Sequence, residues 1–274
     1  MTNSTDEGFA WQVGVWDRMA DVYQQEIDSR FGPVIEHLLD LANLQPGETI
    51  LDLGTGTGAV AIMAAAKTGP GSRIVAVDIS PEMLDKARLR IAALSLTNVE
   101  FAEGRAEAIP AKNNSLDVVL ASLSLMYVIE RATAAREIAR ILRPGGRLVA
   151  AVWSSPEETD IVRFQQTAGS FAPTPPVEGV GPGAMADPQQ FLKQLEAAGL
   201  RASCETKVTG FQFVNFEEAW DALAGVTTAQ LEHFVREQAK TAVRSAMWPD
   251  AQSPKEFHNA THYIVASKPA WRPK

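Results

Sequence analysis

The stretch Glu48-Thr-Ile-Leu-Asp-Leu-Gly-Thr-Gly-Thr-Gly-Ala-Val-Ala-Ile62 decides which fold the chain can adopt. Thr49 to Leu53 is a short apolar run of strand-forming residues, three glycines follow at alternate positions, and the small residues from Ala59 to Ala66 indicate a helix. This order is typical of a nucleotide site in a doubly wound α/β sheet. The glycine spacing is G-x-G-x-G, whereas the dinucleotide fingerprint is G-x-G-x-x-G. Asp52, at the end of the strand, would repel a pyrophosphate and attract an ammonium group, so we expect a positively charged nucleoside without phosphate.

This combination resembles motif I of the class I S-adenosylmethionine-dependent methyltransferases. Within that superfamily the chain is most similar to the small-molecule group that contains the ubiquinone and menaquinone C-methyltransferases (methyltransferase type 11), and the resemblance is strongest from Trp16 to Trp153. It implies S-adenosyl-L-methionine as the cofactor, S-adenosyl-L-homocysteine as its product, and no metal. It also implies that Asp52 and the glycine turn hold the methionine end of the cofactor, the turn contributing Gly54, Thr55, Gly56 and Gly58.

Composition limits the partners that we expect for this chain. It has 274 residues, 46% of them hydrophobic, a net charge of −8 and a single cysteine, Cys204. An acidic chain is a poor partner for nucleic acid or for an anionic membrane surface. No apolar run reaches the roughly 18 residues of a membrane helix, and the polar start does not resemble a signal peptide. We therefore expect a cytoplasmic monomer or homodimer that acts on a small molecule.

A second apolar run, Arg73 to Asp78, also ends in an acid. Asp78 lies 20 residues beyond Gly58, where an acid accepts hydrogen bonds from the ribose of a bound nucleotide. Ile79 would then flank the adenine and Met83 would cover it, although Met83 fits an ordinary core position nearly as well. The alternative for Asp78 is a turn residue at the end of a strand.

Two further segments resemble family motifs around the adenine and the transferred methyl group. Gly104-Arg-Ala-Glu-Ala-Ile-Pro110 has an arginine where the family usually has the aspartate that contacts the adenine amino group. Because arginine cannot accept that hydrogen bond, the backbone of Ala106, the side chain of Glu107 or a water must do so. The second segment, Ala121-Ser-Leu-Ser-Leu-Met-Tyr127, resembles the loop between methyl donor and acceptor, with Ala121 and Met126 on the cofactor side. It contains neither the Asn-Pro-Pro-Tyr motif of DNA amine methylation nor the Pro-Cys pair of cytosine C5 methylation.

The start of the chain resembles the family's N-terminal helical cap. Trp11 to Ser29 is predicted to be a helix, in which Tyr23 would reach the carboxylate end of the cofactor. A plain amphipathic stripe that packs on the core is the open alternative. Aromatic residues of the cap and the later loops could form an acceptor pocket that includes Trp16, Tyr127 and Trp153.

The predicted architecture is a Rossmann-like, doubly wound sheet of seven strands, mostly parallel, with helices on both faces. Residues 1–45 form the helical cap and 46–153 the core that binds the cofactor. Residues 154–186, rich in proline and glycine, form a lid insertion. Residues 187–274 complete the core with a helical insertion, and Ala202–Phe213 and Tyr263–Lys268 pair as the antiparallel last hairpin, with His258 and His262 just before its second strand.

The function that we expect is methyl transfer from S-adenosylmethionine to a carbon or an oxygen of a small molecule, either quinone-like or a secondary metabolite. An acceptor that must lose a proton needs a base, and the candidates are Tyr127, His233 and His258. Two alternatives stay open: a S-adenosylmethionine-binding regulator without catalysis, and a nicotinamide-dependent oxidoreductase. The glycine spacing and Asp52 speak against the second.

Overall fold

A computed structural model describes residues 4–27 and 30–270 of the chain. Over these residues the protein forms a seven-stranded sheet in the spatial order β3-β2-β1-β4-β5-β7-β6. The strands are β1 Thr49–Leu53, β2 Arg73–Asp78, β3 Val99–Glu103, β4 Leu116–Ser122, β5 Leu142–Trp153, β6 Arg201–Phe213 and β7 Lys255–Ser267. Strands β1 to β5 are parallel, and β7 runs antiparallel to both β5 and β6. The predicted fold class is therefore confirmed, including its antiparallel last hairpin.

Helices cover the sheet and continue past its ends. In the described part of the chain they are α1 Ser4–Val22, α2 Gly32–Ala42, α3 Ala59–Thr68, α4 Pro81–Ala93, α5 Arg131–Ile141, α6 Asp160–Gly169, α7 Gln189–Ala197, α8 Phe216–Leu223, α9 Gly225–Thr228 and α10 His233–Met247. The first three strands step outward from β1, and β4 then returns to the other side of β1. This reversal between β1 and β4 opens a crevice at the carboxyl ends of the strands, which is where doubly wound sheets bind nucleotides.

The cap helix differs from its prediction at both ends. Helix α1 begins at Ser4 instead of Trp11, and the acidic pair Asp6 and Glu7 lies in its first turn, where negative charge complements the helix dipole. A π-helical turn, Tyr23–Ile27, follows α1 directly. The predicted end at Ser29 lies outside the described residues.

The last strand begins eight positions before its predicted start, at Lys255 instead of Tyr263, so His258 and His262 lie within β7 and not before it. Pairing with the whole of β6, from Ser267 opposite Arg201 to Lys255 opposite Phe213, holds this polar segment in the sheet. Its buried Asn259 accepts a hydrogen bond from the amide of Ile161 at 2.9 Å. The hydrogen bonds between β6 and β7, together with contacts such as that of Asn259, give partners to polar groups whose burial would otherwise be unfavourable.

The predicted lid region divides into two parts. Its first half contains α6, whose Ile161, Val162, Phe164 and Ala168 are buried. Phe164 contacts Trp220 of α8 and Phe257 of β7, so α6 packs into the core. Residues 170–188, between α6 and α7, form neither helix nor strand. No helix in the described ranges is long and apolar enough to cross a membrane.

Candidate functional site

The glycine turn joins the end of β1 to α3 at the bottom of the crevice. The amides of Gly54 and Thr55 donate to the carbonyl of Val77 at 2.8 and 2.9 Å, which fixes the turn against the end of β2. Gly54 and Gly56 both have left-handed backbone conformations, with φ of +76° and +54°. A Cβ on Gly54 would overlap the side chain of Ser124, whereas a Cβ on Gly56 would meet only Tyr23 Cε1, at 4.0 Å. Gly54 is therefore required for packing, and Gly56 leaves open space above the turn.

That space belongs to a cavity of about 750 Å³ between the strand ends and α1. Ten of the residues predicted to bind cofactor or acceptor line it: Trp16, Tyr23, Gly54, Gly56, Asp78, Ile79, Met83, Ala106, Glu107 and Tyr127. The predicted residues that do not line it are Asp52, Thr55, Gly58, Ala121, Met126, Trp153, His233 and His258. Phe9 and Gln12 of α1 also line it and were not predicted. Their spacing to Trp16 on one helical face is the signal that could have identified them.

Asp78 presents a buried carboxylate to this cavity. Its Oδ2 accepts from the Gly56 amide at 2.7 Å, and its Oδ1 accepts from the Ser80 amide at 3.0 Å. Burial raises the pKa of Asp78, and these amide hydrogen bonds oppose that rise. The carboxylate therefore lies in the cavity that the glycine turn forms, with its orientation fixed by the turn itself. This position fits the predicted role at a ribose.

Asp52 lies behind the turn, with 1% of its surface exposed. Its Oδ2 accepts from the Thr55 hydroxyl at 2.6 Å, while its Oδ1 is buried and has no hydrogen-bond partner among the described residues. Burial raises the pKa of Asp52 from 3.8 to about 7, although the Thr55 hydrogen bond opposes that rise. The residue contacts the turn from below, so any contact with a ligand's ammonium group must pass through or beside Thr55.

Asp52→Asn is expected to stabilise the ligand-free protein above neutral pH. Because the folded state raises the pKa of this acid, its contribution to stability is present below pH 4 and is lost as the pH rises through about 7. The difference between 3.8 and about 7 corresponds to at most about 4 kcal/mol. Urea unfolding at pH 5 and pH 8 should show a loss of stability in the parent protein that the variant lacks. The control is Asp221→Asn, which changes an exposed acid and should keep the pH dependence of the parent protein. If Asp52→Asn also keeps that pH dependence, burial does not raise the pKa of Asp52.

Two residues of the 104–110 segment have contacts that the sequence did not reveal. Glu107 Oε1 accepts from the amides of Ile129 and Glu130, both at 3.1 Å, and so ties this segment to the loop before α5. The Arg105 guanidinium lies 4.1 Å from the centre of the Phe9 ring, a cation–π contact that joins the 104–110 segment to α1. Both residues line the cavity. Glu107 thus supports the loop, and recognition of an adenine amino group by Glu107, the Ala106 backbone or water stays a prediction.

The loop after β4 approaches the glycine turn from the other side. Ser124 Oγ donates to the Leu53 carbonyl at 2.8 Å, and the Leu123 amide donates to the Ala151 carbonyl at 2.8 Å. Leu123 has a φ of +54°, which is unusual for a leucine and is a form of backbone strain found often at functional sites. A 3₁₀ turn, Leu125–Tyr127, then brings Tyr127 over the cavity. Ala121 is buried in β4, behind this loop.

Trp16 and Tyr127 form the boundary between three cavities. Their ring centres are 4.8 Å apart at 89°, an edge-to-face pair, and Gln12 Nε2 donates to the Tyr127 carbonyl at 2.5 Å. Both rings line the 750 Å³ cavity, a second cavity of about 1200 Å³ and a third of about 330 Å³. The third is mainly aromatic and includes Tyr23, Phe31, Trp153 and the buried Gln165. Trp16, Tyr127 and Trp153, which were predicted to surround an acceptor, are thus adjacent.

The candidate bases are less favourably placed than the aromatic residues. His233 is exposed at the first residue of α10 and His258 is exposed in β7, and the lining of the three cavities includes neither. Tyr127 does line the cavities, but burial raises the pKa of its phenol well above the usual value, so the group is protonated at neutral pH. The described residues also contain no group of three or more His, Cys, Asp or Glu side chains that could hold a metal ion.

Comparison with known proteins finds similarity to methyltransferases over the part of the chain that forms this site. A family model described as a methyltransferase domain matches residues 44–178. Nocamycin O-methyltransferase of Saccharothrix syringae is 38% identical over 136 residues, which are 49% of this chain and 48% of that protein. The ubiquinone/menaquinone biosynthesis C-methyltransferase of Enterobacter sp. (strain 638) is 34% identical over 119 residues, 43% of this chain and 47% of that protein. The chain spans about half the length of the curated relatives it matches.

Solved structures agree with the fold. The YcgJ protein of Bacillus subtilis superposes with a TM-score of 0.64 and covers 86% of this chain with 98% of its own. Its sequence identity of 19% makes this a likeness of fold alone. The family resemblance predicted from the sequence is confirmed by the family model and the curated relatives. Residues 44–178, just under half of the chain, are thus similar to a methyltransferase domain, and they lie in a protein built on a Rossmann-like sheet.

Proposed function

We propose that the protein is an S-adenosylmethionine-dependent methyltransferase that acts on a small molecule. The observation that carries this proposal is the shared cavity of Asp78 and Gly56, which meets two further cavities at the Trp16–Tyr127 pair. One ligand can therefore occupy the strand ends while a second one approaches it from the side. The named activities of the relatives, O-methylation and C-methylation, support the same class of reaction.

The residues present fit this cofactor. Asp78 offers a carboxylate to a ribose, the uncrowded face of Gly56 allows a ligand to lie against the backbone, and Ile79 and Met83 provide apolar surface for an adenine. When bound, S-adenosylmethionine supplies an electrophilic methyl group on a positively charged sulfur. The rings of Trp16, Tyr23 and Tyr127 line the cavity and would stabilise such a charge by cation–π contact.

The chain's own contribution to transfer would be alignment and exclusion of water. The Trp16–Tyr127 pair and the Gln12 hydrogen bond hold the boundary between the cavities in one geometry. A protonated Tyr127 can donate a hydrogen bond to an acceptor oxygen but is a poor base at neutral pH. We therefore infer that the acceptor brings a nucleophile that is already ionised or needs no deprotonation, and that His233 and His258 do not serve as bases.

We also propose that residues 170–183 form the lid over these cavities. Several of them line the 1200 Å³ cavity, and the segment rests on the loop after β4 through the Gly181 amide, which donates to the Met126 carbonyl at 3.1 Å. Arg131 donates to the Gly179 carbonyl nearby. Only these few contacts hold residues 170–183 in place, whereas buried side chains hold α6 in the core. The lid that we propose therefore excludes α6 and is narrower than the predicted range of 154–186.

The lid should exchange its amide hydrogens quickly without ligand and more slowly when S-adenosylhomocysteine is bound. A segment with few buried apolar contacts opens locally at low cost, and a ligand beneath it would favour the closed form. Hydrogen exchange measured by mass spectrometry on peptides from 170–183 tests this, with peptides from α6 as the protected control. Slow exchange that is equal with and without ligand would contradict a lid.

The test of function begins with binding and ends with transfer. Isothermal titration should show saturable binding of S-adenosylmethionine and S-adenosylhomocysteine and none of NAD, since a dehydrogenase would show the reverse. Incubation with S-[methyl-³H]adenosylmethionine and a panel of small phenols, enols and carboxylic acids should then give a labelled product. Tight binding of S-adenosylmethionine without transfer to any acceptor would favour a regulator over an enzyme.

A further inference from the structure

We propose that the 1200 Å³ cavity beside the cofactor cavity holds the acceptor, and that it selects an apolar molecule with an anionic group that Arg18 binds. This inference rests on the proposed function, because the cavity is an acceptor site only if the adjoining one holds the methyl donor. It adds a chemical class for the acceptor, a hydrophobic organic acid, which neither the fold nor the glycine turn specifies.

The wall of this cavity is mainly apolar on the side of the lid. The lid contributes four prolines to it, namely Pro173, Pro175, Pro176 and Pro182. Proline has no amide hydrogen, so this wall offers an acceptor rigid apolar surface and few directional contacts. Val180 of the lid, Val226 of α9 and Leu231 just after α9 extend the same apolar character. A site of this kind favours a ring or another compact apolar body.

In the described part of the chain, Arg18 is the one charged residue that lines this cavity, and its side chain is exposed. It has no hydrogen-bond or ion-pair partner among the described residues, whereas Arg30 and Arg147 are paired with Glu218 and Glu48. The Arg18 guanidinium folds back over Gly14, since a Cβ on Gly14 would lie 3.2 Å from Arg18 Nη1. An unpaired guanidinium at the edge of an apolar cavity presents its fork of donors to a carboxylate or a sulfonate.

The charge of the whole chain opposes the binding of an anion, which makes a local cation necessary. With a net charge of −8, the protein repels anions at long range, so an anionic acceptor needs a local cation to be retained. Among the described residues, the lining of the cavity contains no carboxylate that could pair with an ammonium group. A cationic acceptor would therefore gain no charge partner there, and a neutral one would gain nothing from the charge of Arg18.

Helix α1 determines how an acceptor would be oriented in this cavity. Trp11, Val15 and Arg18 lie on one face of the helix and line only this cavity, while Trp16 also lines the cofactor cavity. An acceptor whose acidic group lies at Arg18 can thus extend its body along α1 toward the Trp16–Tyr127 boundary. The reacting atom would be at the end of the acceptor that is remote from the acid.

The inference is tested with two fluorescent probes that share one aromatic body. 1-Anilinonaphthalene-8-sulfonate carries an anionic group, and N-phenyl-1-naphthylamine lacks it. Both are titrated into the full chain without and with saturating S-adenosylhomocysteine, which blocks the cofactor cavity. The sulfonate should bind to the parent protein more tightly than the neutral probe. Arg18→Gln should lower the affinity for the sulfonate about five- to tenfold and leave the affinity for the neutral probe unchanged.

Three control variants make the result specific. Arg18→Lys should retain part of the preference for the sulfonate. Arg136→Gln removes an exposed arginine of α5 outside the cavity and should change the affinity for neither probe. Ala172→Trp fills the cavity from the lid and should weaken both probes.

Three outcomes would overturn the inference: equal affinities for the two probes in the parent protein, an unchanged affinity of Arg18→Gln for the sulfonate, or displacement of the sulfonate by S-adenosylhomocysteine. The first two would remove the role of Arg18, and the third would place the probe in the cofactor cavity. S-adenosylhomocysteine is titrated separately into the parent and Arg18→Gln, and both should bind it equally. If neither binds it, the proposed function fails. If both bind it while the probes show no preference, only the assignment of Arg18 fails.

Discussion

Gly56→Val is expected to abolish the binding of S-adenosylmethionine and S-adenosylhomocysteine while the protein stays folded. A Cβ at this position points into the cofactor cavity and meets only Tyr23, at 4.0 Å, so the extra side chain would occupy the ligand's space without a clash in the free protein. Its φ of +54° adds strain of about 1–2 kcal/mol, which a domain of this size tolerates. Isothermal titration measures the affinity, and circular dichroism with a thermal melt measures the fold.

The matched control for Gly56→Val is Gly69→Val. Gly69 has a comparable positive φ of +74° but has open space around it, after the end of α3. Because its ψ is −179°, Gly69 has a conformation that only glycine adopts readily, so Gly69→Val imposes at least as much backbone strain as Gly56→Val. It does so without entering the cavity and should leave binding intact. Gly54→Val, which would overlap Ser124, should instead lower the melting temperature. Unchanged affinity in Gly56→Val would remove the glycine turn from the cofactor site.

Strands with an uninterrupted apolar pattern could be predicted from the sequence to the residue. Thr49–Leu53 and Arg73–Asp78 have the predicted bounds because each is a short run of strand formers between clear breaks. The first half of β7 could not be predicted, since its Asn259, Thr261 and His262 are polar residues buried in a central strand. Only the contacts with β6 and α6 make their burial favourable, and such contacts lie far away in sequence.

In the site, too, residues whose positions depend on their neighbours in sequence could be predicted, and contacts between distant segments could not. The turn glycines, Asp78 and Met83 were identifiable because they belong to two consecutive strand–turn–helix units, β1 to α3 and β2 to α4, whose geometry is set by neighbours in sequence. The partners of Glu107 at Ile129 and Glu130, and the Arg105–Phe9 contact, depend on how separate segments meet. The sequence likewise gave no sign that Asp52 would lie behind Thr55 instead of facing the ligand. Its role at the ammonium group stays a prediction for this reason.

Asp78→Ala is expected to lower the affinities for S-adenosylmethionine and for adenosine by a similar factor, because both ligands carry the ribose. Losing one charged hydrogen bond costs about 1.5–3 kcal/mol, which is roughly tenfold or more in affinity. Asp52→Ala should weaken S-adenosylmethionine and spare adenosine, which has no ammonium group. Titration of both ligands into both variants gives the four affinities that are needed.

The hydrogen bonds of Asp78 require one further control. Because its Oδ2 accepts from the Gly56 amide, Asp78→Ala also loosens the glycine turn, and part of the loss could arise from the turn. Ser80→Ala separates the two effects: it removes a hydroxyl that accepts from the Met83 amide at 3.1 Å and donates to Asp17, and so perturbs the same strand end without touching the cavity carboxylate. If Ser80→Ala costs as much affinity as Asp78→Ala, or if Asp78→Ala leaves both ligands unaffected, Asp78 is a turn residue and the ribose lies elsewhere. If Asp52→Ala weakens adenosine as much as S-adenosylmethionine, Asp52 acts by supporting the turn through Thr55, and the ammonium group is held by other atoms of the cavity.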